Sequence, residues 1–337
     1  MTDTADIERG VAAVLIDQGH PVVSVTVTGV ASVGAQRSTV FVDLDDGRHV
    51  RPAVVQLAGT VSTLLPLVAE ADCLRLAARA GLPVPEVLAA GVDHTHLDGP
   101  VLVTDRIDGV TVPRHVLRKV EADATLGPRL AHQCGEALAR LHAGPLERLA
   151  EDVPRLTHPT PAEADLAHLD DLLDDLPGAH PALTLGLRWL DRHRPQPPPA
   201  PALVHGDFRN GNLIVDDDGL AAVLDWELAH VGDPAEDLAW LCLRTWRFRN
   251  DHLEVGGFAH LADLRAGYEA AGGTWRPEAF VWWKVARTLW WGIGSARQAA
   301  AFTSGATTNL VLAASGRRVA ELEWDLLGLI GPTDRPT

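Results

Sequence analysis

Apolar residues recur along the chain with two different periods, and the change of period divides the sequence into two parts. Up to residue 107, short stretches that alternate apolar and polar residues predict β-strands. The strands predicted there are residues 22–28, 39–44, 48–57, 87–91 and 100–107, and the helices predicted there are residues 7–18 and 67–80. Residues 29–38 are small and are expected to form a loop. The first part is therefore predicted to be a small antiparallel sheet with accompanying helices.

From residue 108 onward, the apolar positions mostly follow the period of about 3.6 residues that is typical of helices. The helices predicted in this part are residues 125–143, 162–176, 183–192, 234–245, 258–270, 277–302 and 309–330. Two short apolar stretches, residues 213–215 and 220–224, instead predict a hairpin whose turn ends at Gly219. We therefore predict an α+β protein with one lobe over residues 1–107 and a larger, mainly helical lobe over residues 108–337.

Composition limits the classes of partner. At 337 residues the chain is long enough for two lobes, and its formal net charge of −16 disfavours nucleic acid and anionic membranes as partners. The three cysteines follow no metal-binding spacing and lie in apolar helical patterns, which predicts buried, reduced thiols and a cytoplasmic protein. No apolar run approaches the length of about 20 residues that spans a bilayer. A small molecule is the expected partner, and the oligomeric state is left open.

The most distinctive side chains surround the predicted hairpin. Asp207 and Asn212 precede its first strand, and Asp225 follows its second strand, so the hairpin returns Asp225 towards Asn212. Phosphoryl transfer from a nucleotide requires oxygen ligands for Mg²⁺ and a carboxylate that orients the attacking hydroxyl group. These three residues provide that set. The alternative is that they are ordinary turn residues, since Asp and Asn are common in loops.

Taken together, these motifs resemble a known family. The tripeptide His-Gly-Asp at 205–207, four further residues and then Asn212, followed by Asp-Trp-Glu at 225–227, resemble the aminoglycoside phosphotransferase (APH) family of protein-kinase-like small-molecule kinases. Residues 316–327 resemble the closing helix of the branch found beside or fused to acyl-CoA dehydrogenases. The resemblance implies a two-lobe protein-kinase-like fold and an enzyme that uses ATP (or GTP) and Mg²⁺ to phosphorylate a hydroxyl group of a small molecule.

The resemblance also implies a role for individual residues. Asp207 is the expected catalytic base, and Asn212 and Asp225 are the expected magnesium ligands. His205 is expected to brace the loop. The residues expected to contact the nucleotide are Gly34, Arg51, Gln56, Glu70, Asp105 and Ile107. Asp233 and Asp237 are expected to cap the helix that follows.

One departure from the family pattern concerns the cation that binds the nucleotide phosphates. The family places a lysine or arginine on the third strand, yet residues 53–56 contain none, and Gln56 is a neutral donor there. Glu70 occupies the position of the glutamate that pairs with this cation. Its expected partner is Arg51, the nearest cation, unless Glu70 is a solvated helix residue.

The acceptor is expected to bind between the catalytic loop and the C-terminal helices. Candidate contacts are Glu227, Trp283, Arg287 and Trp290, although tryptophans at this spacing commonly pack between helices. The acceptor is either an aminoglycoside-like or other natural product, or a hydroxyacyl-type alcohol. A second hypothesis is a weak or inactive kinase-shaped protein that binds a nucleotide or metabolite, because the third-strand cation is missing.

Overall fold

A five-stranded antiparallel sheet forms the N-terminal part of the chain in a computed structural model, which describes residues 3–33, 37–59, 65–93, 95–97 and 99–331. The strands are β1 (Ser24–Val33), β2 (Arg37–Asp45), β3 (Val50–Ala58), β4 (Val87–Asp93) and β5 (Gly99–Asp105), and their order across the sheet is β1-β2-β3-β5-β4. Helix α1 (Thr4–Asp17) precedes the sheet, and helix α2 (Leu67–Arg79) connects β3 to β4.

The two faces of this sheet have different environments because successive side chains of a strand point to opposite sides. On β2, Val40 and Val42 are buried in a core that they share with Val11 and Leu15 of α1. The alternate positions of β2, including Phe41, line the main cavity of the molecule. One face of the sheet is thus closed by α1, and the other faces the cavity.

Helices make up most of the remaining chain. They are α3 (Pro113–Ala122), α4 (Leu126–His142), α5 (Pro161–Asp174), α6 (Pro181–Arg192), α7 (Ala235–Leu241), α8 (Leu261–Ala270), α9 (Pro277–Thr303), α10 (Leu310–Ser315) and α11 (Val319–Ile330). Four short strands, β6 (Ala202–Val204), β7 (Leu213–Val215), β8 (Leu220–Val223) and β9 (His230–Gly232), form two antiparallel pairs, β6 with β9 and β7 with β8. Helix α2 packs into the same large core as these helices, so it joins the sheet to the helical part.

The predicted α+β, kinase-like class is confirmed, and most predicted helices and strands occur within a few residues of their expected bounds. The predicted loop over residues 29–38 is wrong in most of its length, because β1 continues to Val33 through bulges and β2 begins at Arg37. The pattern also missed α3, which buries only Val116 and Leu117, and the three-residue strand β9. The predicted last helix is divided by a 3₁₀ turn at Gly316–Arg318.

Two further expectations concern the chain as a whole. The predicted lobe boundary after residue 107 falls just beyond the end of β5 at Asp105, and it stays a prediction. The three cysteines are free and buried, as predicted. Within the described residues, no helix has both the length and the apolar character needed to cross a membrane.

Candidate active site

The main cavity, of about 1050 Å³, lies between the sheet and the β7–β8 hairpin. Residues of β2 and β3 form one wall, and residues that flank the hairpin form the other. Among the predicted site residues, those that line it are Gln56, Glu70, Asp105, Ile107, Asn212, Asp225 and Glu227. Most of the residues expected to contact nucleotide and metal therefore share one cleft.

Asp207 lies in the loop between β6 and β7, and it is only 9% exposed. Oδ1 of its carboxylate accepts a hydrogen bond from Nε1 of Trp240 (2.7 Å), and Oδ2 accepts one from Nδ2 of Asn212 (2.7 Å). Nε of Arg209 donates to both oxygens, at 2.9 and 3.1 Å. Burial raises the pKa of Asp207 above its ordinary value, whereas Arg209 and Trp240 act in the opposite direction. The carboxylate is thus held in one orientation by three side chains.

The loop that carries Asp207 is braced by a fully buried carboxylate. Asp237 of α7 accepts hydrogen bonds from the backbone N–H groups of His205 (2.9 Å) and Gly206 (3.0 Å) and from Nε2 of His142 (3.1 Å). The prediction that Asp237 caps a helix is therefore wrong, because these contacts use its carboxylate. Asp233 accepts a hydrogen bond from the N–H of Ala235, the first residue of α7 (2.9 Å), and pairs with Arg276 (2.7 Å), while Pro234 occupies the N-cap position.

His205 connects this loop to the hairpin. Its Nδ1 accepts a hydrogen bond from the N–H of Asp207 (3.1 Å), so the ring proton lies on Nε2, which donates to the carbonyl oxygen of Leu224 (3.0 Å). Burial lowers the pKa of His205 and favours this neutral form. The expected bracing role of His205 agrees with these contacts.

The hairpin places Asp225 beside Asn212. The N–H of Leu224 donates to the carbonyl oxygen of Asn212 (2.8 Å), which aligns the two residues across the hairpin. Asp225 adopts a φ of 66°, an unfavourable value for a residue with a Cβ, and such strain is concentrated at functional sites in proteins. Its carboxylate lines the cavity and makes no hydrogen bond or salt bridge with a described residue.

Glu70 of α2 is 1% exposed and pairs with a cation that the sequence analysis did not identify. Nη2 of Arg37, the first residue of β2, lies 2.7 Å from Oε2 of Glu70, and Nε of Arg37 lies 3.5 Å from Oε2 of Glu227. The N–H of Trp226 also donates to Glu70 (3.3 Å). Burial raises the pKa of Glu70 to about 6, against the opposing effect of Arg37. Both expectations for Glu70, pairing with Arg51 or solvation, are wrong.

Of two other predicted nucleotide contacts, one does not line the cavity and one is not described by the structure. Arg51 lies on β3 but pairs with Glu86 (2.5 Å) and approaches Asp105 (3.9 Å), and it is not among the cavity-lining residues. Gly34 lies outside the described residues. Asp105 does line the cavity, and one of its oxygens accepts the N–H of Glu86 (2.5 Å).

The candidate substrate residues of α9 are mostly packed inside the protein. Trp283 is 1% exposed, and Arg287 is 7% exposed and pairs with Asp165 and, at 3.2 Å, with Glu236. Glu236 also pairs with His230 of β9 (3.2 Å). These contacts tie α5, α7, α9 and β9 together, and neither Trp283 nor Arg287 lines the cavity. Their placement favours the packing alternative.

Trp290 instead belongs to a group of indole rings behind Asp207. We call this group the tryptophan cluster, and its members are Trp240, Trp246, Trp290 and Trp291. Trp240 bonds to Asp207, and the guanidinium of Arg209 lies 4.5 Å from the ring centroid of Trp246. Trp290 is thereby linked to the Asp207 carboxylate through Trp240, although it does not line the main cavity.

Sequence reasoning missed three residues that shape this site: Arg37, Trp240 and Asp237 in its observed role. Arg37 begins a strand that the pattern did not extend so far, and Trp240 lies in a helix of ordinary apolar spacing. The available signal for Asp237 was an acidic side chain directly before the apolar stretch Leu-Ala-Trp-Leu. A buried carboxylate in such a stretch requires several donors.

Comparison with known sequences supports a single family. The chain matches the profile of the phosphotransferase enzyme family APH over residues 27–280. It is 29% identical over 195 residues to acyl-CoA dehydrogenase family member 10 of Mus musculus, a match that covers 54% of this chain and 17% of that protein. It is 28% identical over 208 residues to hygromycin-B 4-O-kinase of Escherichia coli, which covers 55% of this chain and 57% of that protein. The chain thus spans less than two thirds of either relative.

Solved structures agree on the fold. A Ralstonia eutropha protein with a provisional aminoglycoside phosphotransferase assignment superposes with a TM-score of 0.72 at 16% identity, covering 98% of both chains. A thermostable mutant of aminoglycoside phosphotransferase APH(4)-Ia, in a ternary complex with AMP-PNP and hygromycin B, gives a TM-score of 0.62 at 18% identity and covers 95% of this chain and 97% of that one. The GDP complex of an aminoglycoside 2'-phosphotransferase-IIIa mutant gives a TM-score of 0.62 at 14% identity, covering 95% and 99%.

Proposed function

Because the chain belongs to the APH family of phosphotransferase enzymes, we propose that it transfers a phosphoryl group from ATP (or GTP), with Mg²⁺, to a hydroxyl group of a small molecule. The observation that supports this proposal is the meeting of Asp207, Asn212 and Asp225 around the β7–β8 hairpin, with Asn212 and Asp225 lining the cleft. Asp207 bonds to Asn212, and Asn212 is paired through its backbone with the segment that ends in Asp225.

Asp207 is the proposed catalytic base. Its carboxylate would orient the acceptor hydroxyl and take its proton as the oxygen attacks the phosphoryl group in line. A pKa raised by burial makes the carboxylate a better proton acceptor than an exposed aspartate. Trp240 is a positioning residue, because it bonds to Asp207 from the side of the tryptophan cluster and has no direct role in the chemistry.

Asn212 and Asp225 have the chemistry needed to hold Mg²⁺. Nδ2 of Asn212 is used by Asp207, which leaves its amide oxygen as a ligand, and the Asp225 carboxylate makes no competing bond with a described residue. The described residues include no group of three or more His, Cys, Asp and Glu that could hold a metal. That fits Mg²⁺, which is commonly bound by one or two carboxylates together with phosphates. When bound, the metal would neutralise charge on the phosphates.

The nucleotide would occupy the main cavity. The segment from Asp105 to Ile107 follows β5 and lines the cavity, so its backbone would contact the adenine edge. Gln56 on β3 lines the same cavity and would donate to a phosphate. This arrangement leaves the sheet over the nucleotide, with Asn212 and Asp225 at the opposite wall.

Contacts around Asp207 bear on the class of acceptor. Its neighbours on the side away from Asn212 are the tryptophan cluster and Arg209, which are aromatic and cationic. A polycationic aminoglycoside requires exposed carboxylates near the base, whereas aromatic and cationic neighbours suit an uncharged or anionic alcohol. Of the two acceptor classes, we therefore favour the hydroxyacyl-type alcohol. The inactive, kinase-shaped binding protein is less well supported, since the buried Arg37–Glu70 pair provides a cation at the cleft.

A coupled assay of ADP release tests the proposal against two panels of acceptors, aminoglycosides and hydroxyacyl-type alcohols. Wild-type protein should release ADP with at least one acceptor, and release should require Mg²⁺. The variant Asp225→Asn should lose this activity, because it removes the carboxylate but keeps a residue that tolerates a positive φ. Acceptor-dependent release that is unchanged in folded Asp225→Asn would refute the metal assignment. Nucleotide binding without turnover on either panel would instead favour the binding protein.

A further inference from the structure

The cation expected on β3 is absent, and the register of the sheet shows where a substitute can lie. On β3, Ala53 and Val55 are buried in the core, so the cavity-facing positions are Val54 and Gln56, and neither is a cation. Gln56 of β3 pairs with Thr39 of β2, and Ala58 of β3 pairs with Arg37, which lies two residues before Thr39 on β2. Residues two apart on a strand share a face. Arg37 thus lies on the cavity face, diagonal to Gln56, at about 7–8 Å between Cα atoms.

Arg37 is held in place but is not satisfied by protein partners. Its side chain is 10% exposed and lines the cavity. Nη2 lies 2.7 Å from Oε2 of Glu70, and Nε lies 3.5 Å from Oε2 of Glu227. Nη1 is buried and has no hydrogen-bond partner among the residues that the structure describes. A guanidinium carries five N–H donors, and Nε of Arg37, like Nη1, has no hydrogen-bond partner among the described residues.

Its location along the cleft is that of the phosphate chain. Glu70, which pairs with Arg37, also accepts the N–H of Trp226, the residue after the proposed metal ligand Asp225. Arg106 also lines the cavity, and its guanidinium lies over the ring of Phe41. Phe41 is four residues after Arg37 on β2, so the Cα atoms of these two residues are about 13 Å apart. Arg106 is therefore at the adenine end of the cleft, and Arg37 is at the end where phosphoryl transfer would take place.

We infer that Arg37 on β2 supplies the phosphate-binding cation that this chain lacks on β3, with Glu70 orienting it. A planar guanidinium binds phosphate oxygens through two parallel hydrogen bonds, and Arg37 lines the cavity with N–H groups that have no hydrogen-bond partner among the described residues. This inference rests on the proposed function, because it assigns one residue to the nucleotide site of that reaction. It makes Arg37, and not the exposed Arg51, the residue on which binding of the phosphates depends.

Calorimetric titration with Mg·AMP-PNP and, separately, with adenosine tests the inference, because only the first ligand carries phosphates. Arg37→Gln should weaken Mg·AMP-PNP binding by at least about 10-fold, the effect of losing a charge-assisted hydrogen bond, and leave adenosine binding unchanged. Arg51→Gln is the rival variant and should bind both ligands as wild type does. Arg48→Gln, in the exposed turn between β2 and β3, is the charge-matched control.

Removing only one partner of the Arg37–Glu70 pair leaves an unpaired buried charge that would itself disturb the fold, so further variants separate this effect from the loss of a phosphate contact. The double variant Arg37→Gln/Glu70→Gln removes both charges and avoids an unpaired buried carboxylate. The double variant should fold, and its affinity for Mg·AMP-PNP should still be lower than that of wild type. Adding a cation on β3, in Arg37→Gln/Gln56→Lys, should restore much of the lost affinity, because both positions face the same end of the cavity.

The outcomes distinguish this inference from the proposed function. If wild-type protein binds no nucleotide with Mg²⁺, the proposed function fails and the inference fails with it. If wild type binds Mg·AMP-PNP and the double variant binds it equally well, only the inference is overturned. An equal loss of affinity for Mg·AMP-PNP and for adenosine would also overturn it. That result would indicate a structural change of the cleft, because adenosine carries no phosphates.

Discussion

The variant Asp237→Asn tests whether a buried carboxylate braces the loop that carries Asp207. Asparagine has nearly the same shape, but it replaces one carboxylate oxygen by an amide that can only donate. Asp237 is fully buried and accepts from two backbone N–H groups, of His205 and Gly206, and from His142. At least one of these three donors would then face another donor, and the remaining hydrogen bonds would lose the contribution of the negative charge.

The size of the effect follows from these contacts. A hydrogen bond to a charged partner contributes about 1.5–3 kcal/mol, and a buried donor left without an acceptor costs a similar amount. Losing one such bond and weakening the others should lower the free energy of unfolding by about 2–4 kcal/mol, out of a total of about 5–15 kcal/mol. If Asp237 were only a helix cap, asparagine would serve equally well and the change would be near zero.

Urea unfolding, monitored by tryptophan fluorescence, measures this difference in the free energy of unfolding. We expect a lower urea midpoint with an unchanged m value. The control is Asp263→Asn, because Asp263 accepts the N–H of His260 in the capping box of α8, and it should cost less than about 0.5 kcal/mol. A cost at Asp237 as small as the control's would refute the bracing role.

The same carboxylate should produce a dependence on pH. Burial alone raises the pKa of Asp237, but the hydrogen bond and charge of His142 outweigh this and leave the pKa below its ordinary value. A depressed pKa means that the stabilisation is present above the pKa of the unfolded state and is lost as the pH falls through that of the folded state. The difference between wild type and Asp237→Asn should therefore shrink in acid.

Three further predictions concern other residues of the site and its surroundings. Asp225→Asn should abolish Mg²⁺-dependent nucleotide binding in calorimetry while the thermal midpoint stays within a few degrees of wild type, since the carboxylate bonds to no described residue; unchanged binding would contradict the metal assignment. Trp240→Phe removes the 2.7 Å hydrogen bond to Asp207 and should lower kcat by about 10-fold with nucleotide affinity unchanged, and loss of affinity would point to a general packing defect. Burial lowers the pKa of His230, but the effect of Glu236 is larger and raises the pKa to about 9. The stabilisation from the His230–Glu236 pair should therefore be full below about pH 6.5 and disappear as the pH rises through 9. The thermal midpoints of wild type and His230→Gln should converge above that pH.

The sequence alone was sufficient to predict the part of the candidate site whose residues lie close together along the chain. Asp207, Asn212 and Asp225 surround one hairpin, so their spacing alone indicated that they would meet at one site, and the structure places Asn212 and Asp225 in one cavity with Asp207 bonded to Asn212. The sheet and most helices were predictable for a similar reason, because hydrophobic periodicity reports which side chains face a core.

Residues that act across the fold could not be found in this way. Arg37 and Glu70 are separated by more than thirty positions, and their contact depends on the β2–β3 register and on the packing of α2 against the sheet. The same applies to Trp240, whose contact with Asp207 crosses from one helix to a loop. Trp283 and Arg287 show the opposite problem. Their spacing on α9 is compatible with a pocket, yet neighbouring helices bury them.

The distribution of unfavourable terms in the cleft argues for a ligand with strong negative charge. Burying the Arg37–Glu70 pair removes two charges from water, and the left-handed backbone of Asp225 adds strain at the same end of the cavity. Desolvation of such a pair costs several kcal/mol per ion, which attraction between the partners only partly offsets. A protein that held only an adenine ring would gain nothing from these features. Within the part of the chain that the structure describes, donors of Arg37 and the carboxylate of Asp225 have no hydrogen-bond partner, and phosphates with Mg²⁺ would use both.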